Sequence, residues 1–199
     1  PASCEAGHTD NGDGTCTETF QVLYDADISN ESATAGGALT GTVGTVADDT
    51  FLHLGPSIWT TVIISRAMIY FNTSDLPDSA VIDSAVLRAY VWENPDNYNL
   101  VFWGSQGEYP HNPLEPGDYD RTLYDQTDGF VDGTMTGPAF NTYQFNANGL
   151  ARVDAAGVTK LILLVDEDAQ SSISGTLNAV IYTEERSGQE PTLNVTYTP

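Results

Sequence analysis

Carboxylates dominate the side chains of this chain that are able to do chemistry: 28 Asp and Glu stand against 6 Lys and Arg, with 3 His and 2 Cys. Paired carboxylates hydrolyse glycosidic bonds, so Asp118, Asp120, Asp125, Asp128 and Asp132 of one loop-rich stretch are the first to weigh. Nothing around them predicts burial or a raised pKa, and exposure is the ordinary state of Asp. They read as exposed loop acids. Nucleophilic catalysis has no better footing. There is no G-x-S-x-G elbow, and His8, His53 and His111 lie apart from any Ser or Cys signature. His53, within FLHLG, reads as half-buried in a strand. No catalytic residue is expected, and the chain is not expected to be an enzyme.

Metal binding has one candidate. Asp10 and Asp13, in the run Asp10-Asn11-Gly12-Asp13-Gly14 ahead of Glu18, offer oxygens suited to calcium. The run misses the EF-hand spacing, and Asn-Gly and Asp-Gly form turns by themselves, so a plain hairpin tip competes with it. No other cofactor is expected. The acidic run Asp166-Glu167-Asp168 reads as a water-facing strand end. Sugar contact has more candidates, because aromatic faces stack on sugar rings. Trp59, Trp92 and Trp103, with Tyr98, Tyr109, Tyr119 and Tyr124, supply such faces. Trp92 and Trp103 close strands and are open to a core reading as well, and Trp59, Tyr98, Tyr109 and Tyr119 are the candidate stacking residues. Large buried aromatics are routine in such cores. Three sequons, at Asn30, Asn72 and Asn194, are candidate glycosylation sites.

The net charge of −22 repels phosphate backbones and anionic lipid, so nucleic-acid and membrane-surface roles are not expected. No apolar run reaches the length of a membrane-spanning helix, and the longest, Ile58 to Phe71, carries Arg66. The first residue is Pro1, which fits a processed chain. Cys4 and Cys16 flank a segment of turn formers and fit a disulfide that staples a hairpin. Such a loop contributes about 3 kcal/mol in the chain-entropy view. A disulfide implies a secreted, extracellular address.

The elements that must position these groups are strands. IWTTVIISRAMIYF (58–71) and AVLRAYVW (85–92) are rich in β-branched and aromatic residues. The first is long enough for one bent strand or two. The second is expected to pair as a hairpin with Asn99–Trp103. In Thr17–Tyr24, the residues Phe20, Val22 and Tyr24 fall on one face at period two. Phe51–Leu54, Thr142–Asn146, Thr159–Asp166, Thr176–Thr183 and Thr192–Thr198 are further strands. Gly36–Thr50 is read as thin strands or a surface loop, Ala147–Ala155 as one helical turn, and Gln106–Pro138 as a long loop. Many short strands with regular turns predict an all-β fold, a jelly-roll β-sandwich with an N-terminal disulfide-stapled hairpin and extension strand. The expected division is an arm, 1–24, and a sandwich domain, 25–199.

FNTSDLPDSAVIDSAVLRAYV resembles the F-D-x-S-x-L-P-x-x-A-x-I-x-x-A-x-L signature of secreted DNRLRE-type β-sandwich domains. NANGLARVDAAGVTKLILLVDED and QEPTLNVTYTP are similar to later pieces of the same domain. The resemblance runs from Phe51 to Pro199. It implies a jelly roll in extracellular, cell-surface or phage-fibre proteins, with no catalytic residues to carry over. The arm lies outside it. A stapled hairpin followed by an amphipathic strand looks able to complete a neighbour's sheet, and a head-to-tail contact of that kind propagates as a filament. The leading expectation is therefore a secreted, self-assembling structural subunit whose partner is itself, with Phe20, Val22 and Tyr24 as the inserted face. The alternative is a carbohydrate-binding or adhesion module, with glycans as partners.

Overall fold

The computed structural model describes residues 4, 7–48, 50–105 and 108–199. Pro1, the first residues of the expected arm and Gln106 lie outside them. The chain is nearly all β, and every strand pairing is antiparallel. Its strands are β1 (Thr9–Asp10), β2 (Cys16–Ser32), β3 (Thr45–Ala47), β4 (Phe51–Ile58), β5 (Val62–Asn72) and β6 (Val81–Glu93). After them come β7 (Leu100–Gly104), β8 (Ala139–Gln144), β9 (Val158–Val165), β10 (Ala179–Tyr182) and β11 (Thr192–Thr198). Short helices α1 (Ala35–Leu39), α2 (Ala147–Leu150) and α3 (Asp166–Ala169) lie between them. Among the described residues, no helix is long and apolar enough to cross a membrane.

The strands fall into two hydrogen-bonded groups. In the first, β11 pairs with the start of β2 and with β6, β8 and β10 pair with β6, and the start of β4 pairs with β10. In the second, β5 pairs with the rest of β2, with the end of β4 and with β9, and β9 pairs with β7. Two strands pass between the groups. In β2, residues Cys16–Gln21 pair with β11, and the pairing with β5 begins at Val22 with a register shift before Tyr24. In β4, Leu54 still pairs with β10, and Gly55 already pairs with β5. Gly55 has φ +85°, and an added Cβ would lie 2.8 Å from Val165 Cγ2. Only glycine takes that turn without strain or clash.

Period two explains the core. Leu87, Ala89 and Val91 of β6, Leu193 and Val195 of β11, and Ile181 of β10 share one buried cluster with Ile69 and Phe71 of β5 and Leu161 and Leu163 of β9. The intervening residues of β5 and β9, namely Met68, Tyr70, Ile162 and Leu164, are buried in a second cluster with Leu114, Tyr119 and Tyr124. The long segment after β7 thus covers the other face of the second group. Strands buried on both faces read as continuous apolar runs rather than alternating ones, which is the pattern of 58–71.

Several expectations need correction. Of the two readings of Ile58–Phe71, the two-strand one holds: it is the end of β4 and most of β5, separated by a turn at Trp59–Thr61. β6 and β7 do not form a hairpin, because β7 pairs with β9 and β6 lies in the first group. The segment 36–50 holds the short strand β3, of the kind expected, but its start belongs to the helix α1, which was not expected. Phe20 and Val22 pack on the first cluster but Tyr24 packs on the second, since the shift in β2 turns it to the other side. β2 also runs unbroken across 24 and 25, where the division between arm and domain is expected. The disulfide Cys4–Cys16 is present, with a Cα–Cα distance of 5.7 Å, and it ties the chain before β1 to the first residue of β2.

Candidate functional site

Since Leu87, Ala89 and Val91 face the core, Arg88, Tyr90 and Trp92 of β6 face away from it. The same alternation turns Tyr182 of β10, and Phe51 and His53 of β4, to that outer face. There the rings form a row. Tyr90 stacks on Tyr182 at 5.1 Å and 9°, and Trp92 stacks on Tyr182 at 5.5 Å and 17°. Phe51 meets Tyr182 at 5.6 Å, and Phe140 of β8 meets Tyr90 edge-on at 5.2 Å. Tyr182 is buried inside the row, while Trp92 is 45% exposed. A pocket of about 200 Å³ opens beside it, lined by Phe51, His53, Trp92, Glu93 and Val180.

Cations flank this row in a strongly acidic molecule. Arg88 lies over Phe140 at 3.3 Å, and Arg186 lies over Tyr182 and Phe51 at 4.7 and 4.8 Å. The other basic side chains are committed elsewhere. Arg66 and Arg121 pair with Asp168, Arg152 pairs with Asp125, and Lys160 donates to the carbonyls of Glu108 and Pro110. Cation–π contact over an aromatic face holds a guanidinium in place while leaving its edge able to donate hydrogen bonds.

A polar corner adjoins the row. The backbone N–H of His53 donates to Asp27 Oδ2 at 2.8 Å, and its Nδ1 lies 2.8 Å from the same oxygen. Asp25, just past the shift in β2, is 1% exposed and accepts the backbone N–H of Glu184 at 3.1 Å. Burial pushes its carboxyl up to about 8, and the charges of Glu184, Glu185 and Asp48 push the same way.

At the far end of the first group, a cleft of about 630 Å³ lies between the stapled hairpin and the turn after β5. Its lining includes His8, Glu18, Ser74, Asp75 and Asp78. His8 Nε2 is 3.3 Å from Glu18, and His8 Nδ1 hydrogen-bonds the hydroxyl of Tyr197. Among the described residues, no three His, Cys, Asp or Glu side chains form a group that could hold a metal ion.

No family model matches this chain, and no curated protein matches it. The functional reading therefore rests on the geometry.

Of the candidate stacking residues, Trp59 stands 79% exposed on the turn after β4, and Tyr109 is half-buried with its ring edge-on to His111. Tyr98 and Tyr119, at 2% and 0% exposure, present no face to a sugar. Tyr119 lies beneath the Arg66 guanidinium and donates to the carbonyl of Ala38. Asp10 and Asp13 cap turns: Asp10 accepts Gly12 N–H, and Asp13 accepts both the hydroxyl and the N–H of Thr15. Those bonds hold the Asp13 carboxyl below the usual carboxylate range. Among the sequons, Asn72 is exposed, Asn30 donates to the carbonyl of Val43, and Asn194 accepts from Thr19.

Two acids depart from the expected exposure. Asp118 is fully buried, accepts the N–H groups of His111 and Glu115, and pairs with His111 Nδ1 at 2.8 Å. Asp168 lies in α3 rather than at a water-facing strand end, and it is buried against Arg66. Trp92, weighed both as a stacking face and as core, is 45% exposed rather than core. The residues missed were Arg88, Tyr90 and Tyr182. Their signal was present, since Arg88, Tyr90 and Trp92 alternate with Leu87, Ala89 and Val91. What the sequence hid is that β10 and β4 lie alongside.

Proposed function

We propose that this chain is an extracellular carbohydrate-binding or adhesion module whose contact surface is the aromatic row on the first group of strands. One observation carries the reading: partly exposed Trp92, backed by Tyr182 and Tyr90, borders a small open pocket and lies on a face that also holds Arg88 and Arg186. Aromatic surface binds the apolar faces of sugar rings, and a few placed polar groups fix their orientation. The resemblance to secreted DNRLRE-type domains, with their jelly-roll sandwich, and the disulfide support the same setting. A glycan array followed by titration calorimetry tests it. Trp92→Ala is expected to lower affinity for the best array ligand about tenfold or more, while Trp59→Ala leaves it unchanged. An array without hits, or a ligand indifferent to Trp92, overturns the reading.

A second reading, a filament subunit assembled by strand donation, is favoured by the position of the first half of β2. Among the described residues, only the two-residue β1 lies beyond it, so it is the last substantial strand on the β11 side. In this chain that strand is paired with β11 and β5 of its own fold. Donation would therefore exchange it between copies.

A further inference from the structure

We propose that Asn72 carries an N-linked oligosaccharide, and that of the three sequons it alone is open to modification in the folded chain. Each sequon supplies an asparagine and a hydroxyl two residues on. They differ in what the fold leaves available. Asn72 is the last residue of β5 and is exposed. Its neighbours Phe71 and Thr73 are fully buried, and the Thr73 N–H donates to the carbonyl of Gly157 at 2.9 Å. Asn72 is thus held at the surface by anchors on both sides. Ser74 donates its hydroxyl to Asn72 Oδ1 at 2.8 Å and its N–H to the same oxygen at 3.3 Å. The chain therefore bends at the sequon, with the hydroxyl against the amide. Among the described residues, nothing accepts from Asn72 Nδ2, the nitrogen that takes the sugar.

The other two sequons are closed by the fold. Asn30 is half-buried, and its Nδ2 already donates to the carbonyl of Val43. Asn194 lies within β11, paired with Thr19 of β2 on one side and Val86 of β6 on the other. Its Oδ1 accepts the Thr19 hydroxyl, and the hydroxyl of Thr196, the third residue of that sequon, is bonded to Thr17. A strand paired along both edges does not bend into a transferase without breaking its ladder. Space favours Asn72 as well. The cleft of about 630 Å³ begins at Ser74, so a bulky, hydroxyl-rich substituent meets open ground lined by His8, Glu18, Asp75 and Asp78. The donor is an oligosaccharide carried on a polyprenyl diphosphate. Asn72 Nδ2 attacks the anomeric carbon, the C–N bond forms as the C–O bond to the diphosphate breaks, Nδ2 gives up one proton, and the polyprenyl diphosphate leaves. The disulfide fits the oxidising compartment in which such transfer takes place. The aromatic row lies at the other end of the first group of strands, so the inference does not depend on what that row binds.

The test incubates the folded, disulfide-bonded full chain with a polyprenyl-diphosphate oligosaccharide and a single-subunit oligosaccharyltransferase. The enzyme is one that glycosylates free peptides spanning each of the three sequons. Peptide mapping by mass spectrometry is expected to place the glycan on Asn72. Occupancy of Asn30 and Asn194 is expected to be lower by about tenfold or more, because each reacts only after local unfolding. Asn72→Gln is expected to abolish the modification. Where that variant fails to fold, Ser74→Ala removes the required hydroxyl and is expected to abolish it as well, while Ser74→Thr retains it. A folded chain left bare at Asn72, although the free Asn72 peptide is glycosylated, overturns the proposal. So does occupancy of Asn30 or Asn194 equal to that of Asn72.

Discussion

Arg66 shows how much one side chain can hold. It sits in the middle of β5, 1% exposed, with Nε and Nη2 donating to the two oxygens of Asp168 at 2.6 and 2.8 Å. The same guanidinium donates to the carbonyls of Tyr119 and Leu39. It thus ties the long segment after β7, the α1 region and α3 to one face of β5. Removing one partner of a buried pair strands the other as an uncompensated charge, which costs about 3–5 kcal/mol. Urea unfolding of Arg66→Ala at pH 7 is expected to show a loss in that range, with Arg66→Met combined with Asp168→Leu recovering much of it. A loss below about 1 kcal/mol in the single variant would show that the pair does not anchor these segments. A charge inside an apolar run made Arg66 conspicuous in the sequence. Its partner was not, because Asp168 lies 102 residues along, within three acids that read as solvated. Burial of Asp118 and Tyr119 was hidden for the same reason, since it comes from distant strands that the loop covers.

Elements were more legible than their pairing. Strands β5, β6, β9 and β11 follow from apolar runs and period-two patterns, which are local properties of the chain. Which strands lie side by side is set by non-local contacts, so the hairpin expected of β6 and β7 fails although both strands exist. The crossings in β2 and β4 were equally hidden, with Gly55 within FLHLG as their one local mark. The crossing matters for strand donation. Phe20 is buried in the first cluster, and its strand covers one edge of β11, whose other edge is covered by β6. Removal of residues 1–24 opens that edge. If the chain assembles by exchange, concentrated full-length protein is expected to form rods by electron microscopy. The truncated chain then forms none and captures a labelled peptide of residues 16–24. A solitary particle at every concentration would leave β2 as an ordinary internal strand, because the tethered segment competes at high effective concentration.

At the scale of the whole molecule, charge makes stability depend on pH with a sign that can be worked out. Asp25, with its carboxyl pushed from 3.8 to about 8 by burial and neighbouring acids, holds its proton in the fold and loses it when unfolded. The unfolded state therefore binds fewer protons between about pH 4 and pH 8, and stability falls across that window as pH rises. His111 acts in the same direction. Its hydrogen bond to Asp118 raises its pKa above 6.5, so its contribution is full below that value and is lost as pH climbs through the raised one. The net charge of −22 adds self-repulsion that protonation relieves. The opposing groups titrate lower: Asp96, held below 3.8 by the N–H groups of Thr176 and Leu177, loses its stabilising bonds only as pH falls through that lowered range. Stability is therefore expected to peak near pH 4 and to drop by a few kcal/mol by about pH 8.5, read as urea midpoints across the range. Asp25→Asn is expected to flatten most of that slope. A profile in the variant as steep as in the native chain would show that the slope comes from general repulsion rather than from the buried carboxyl.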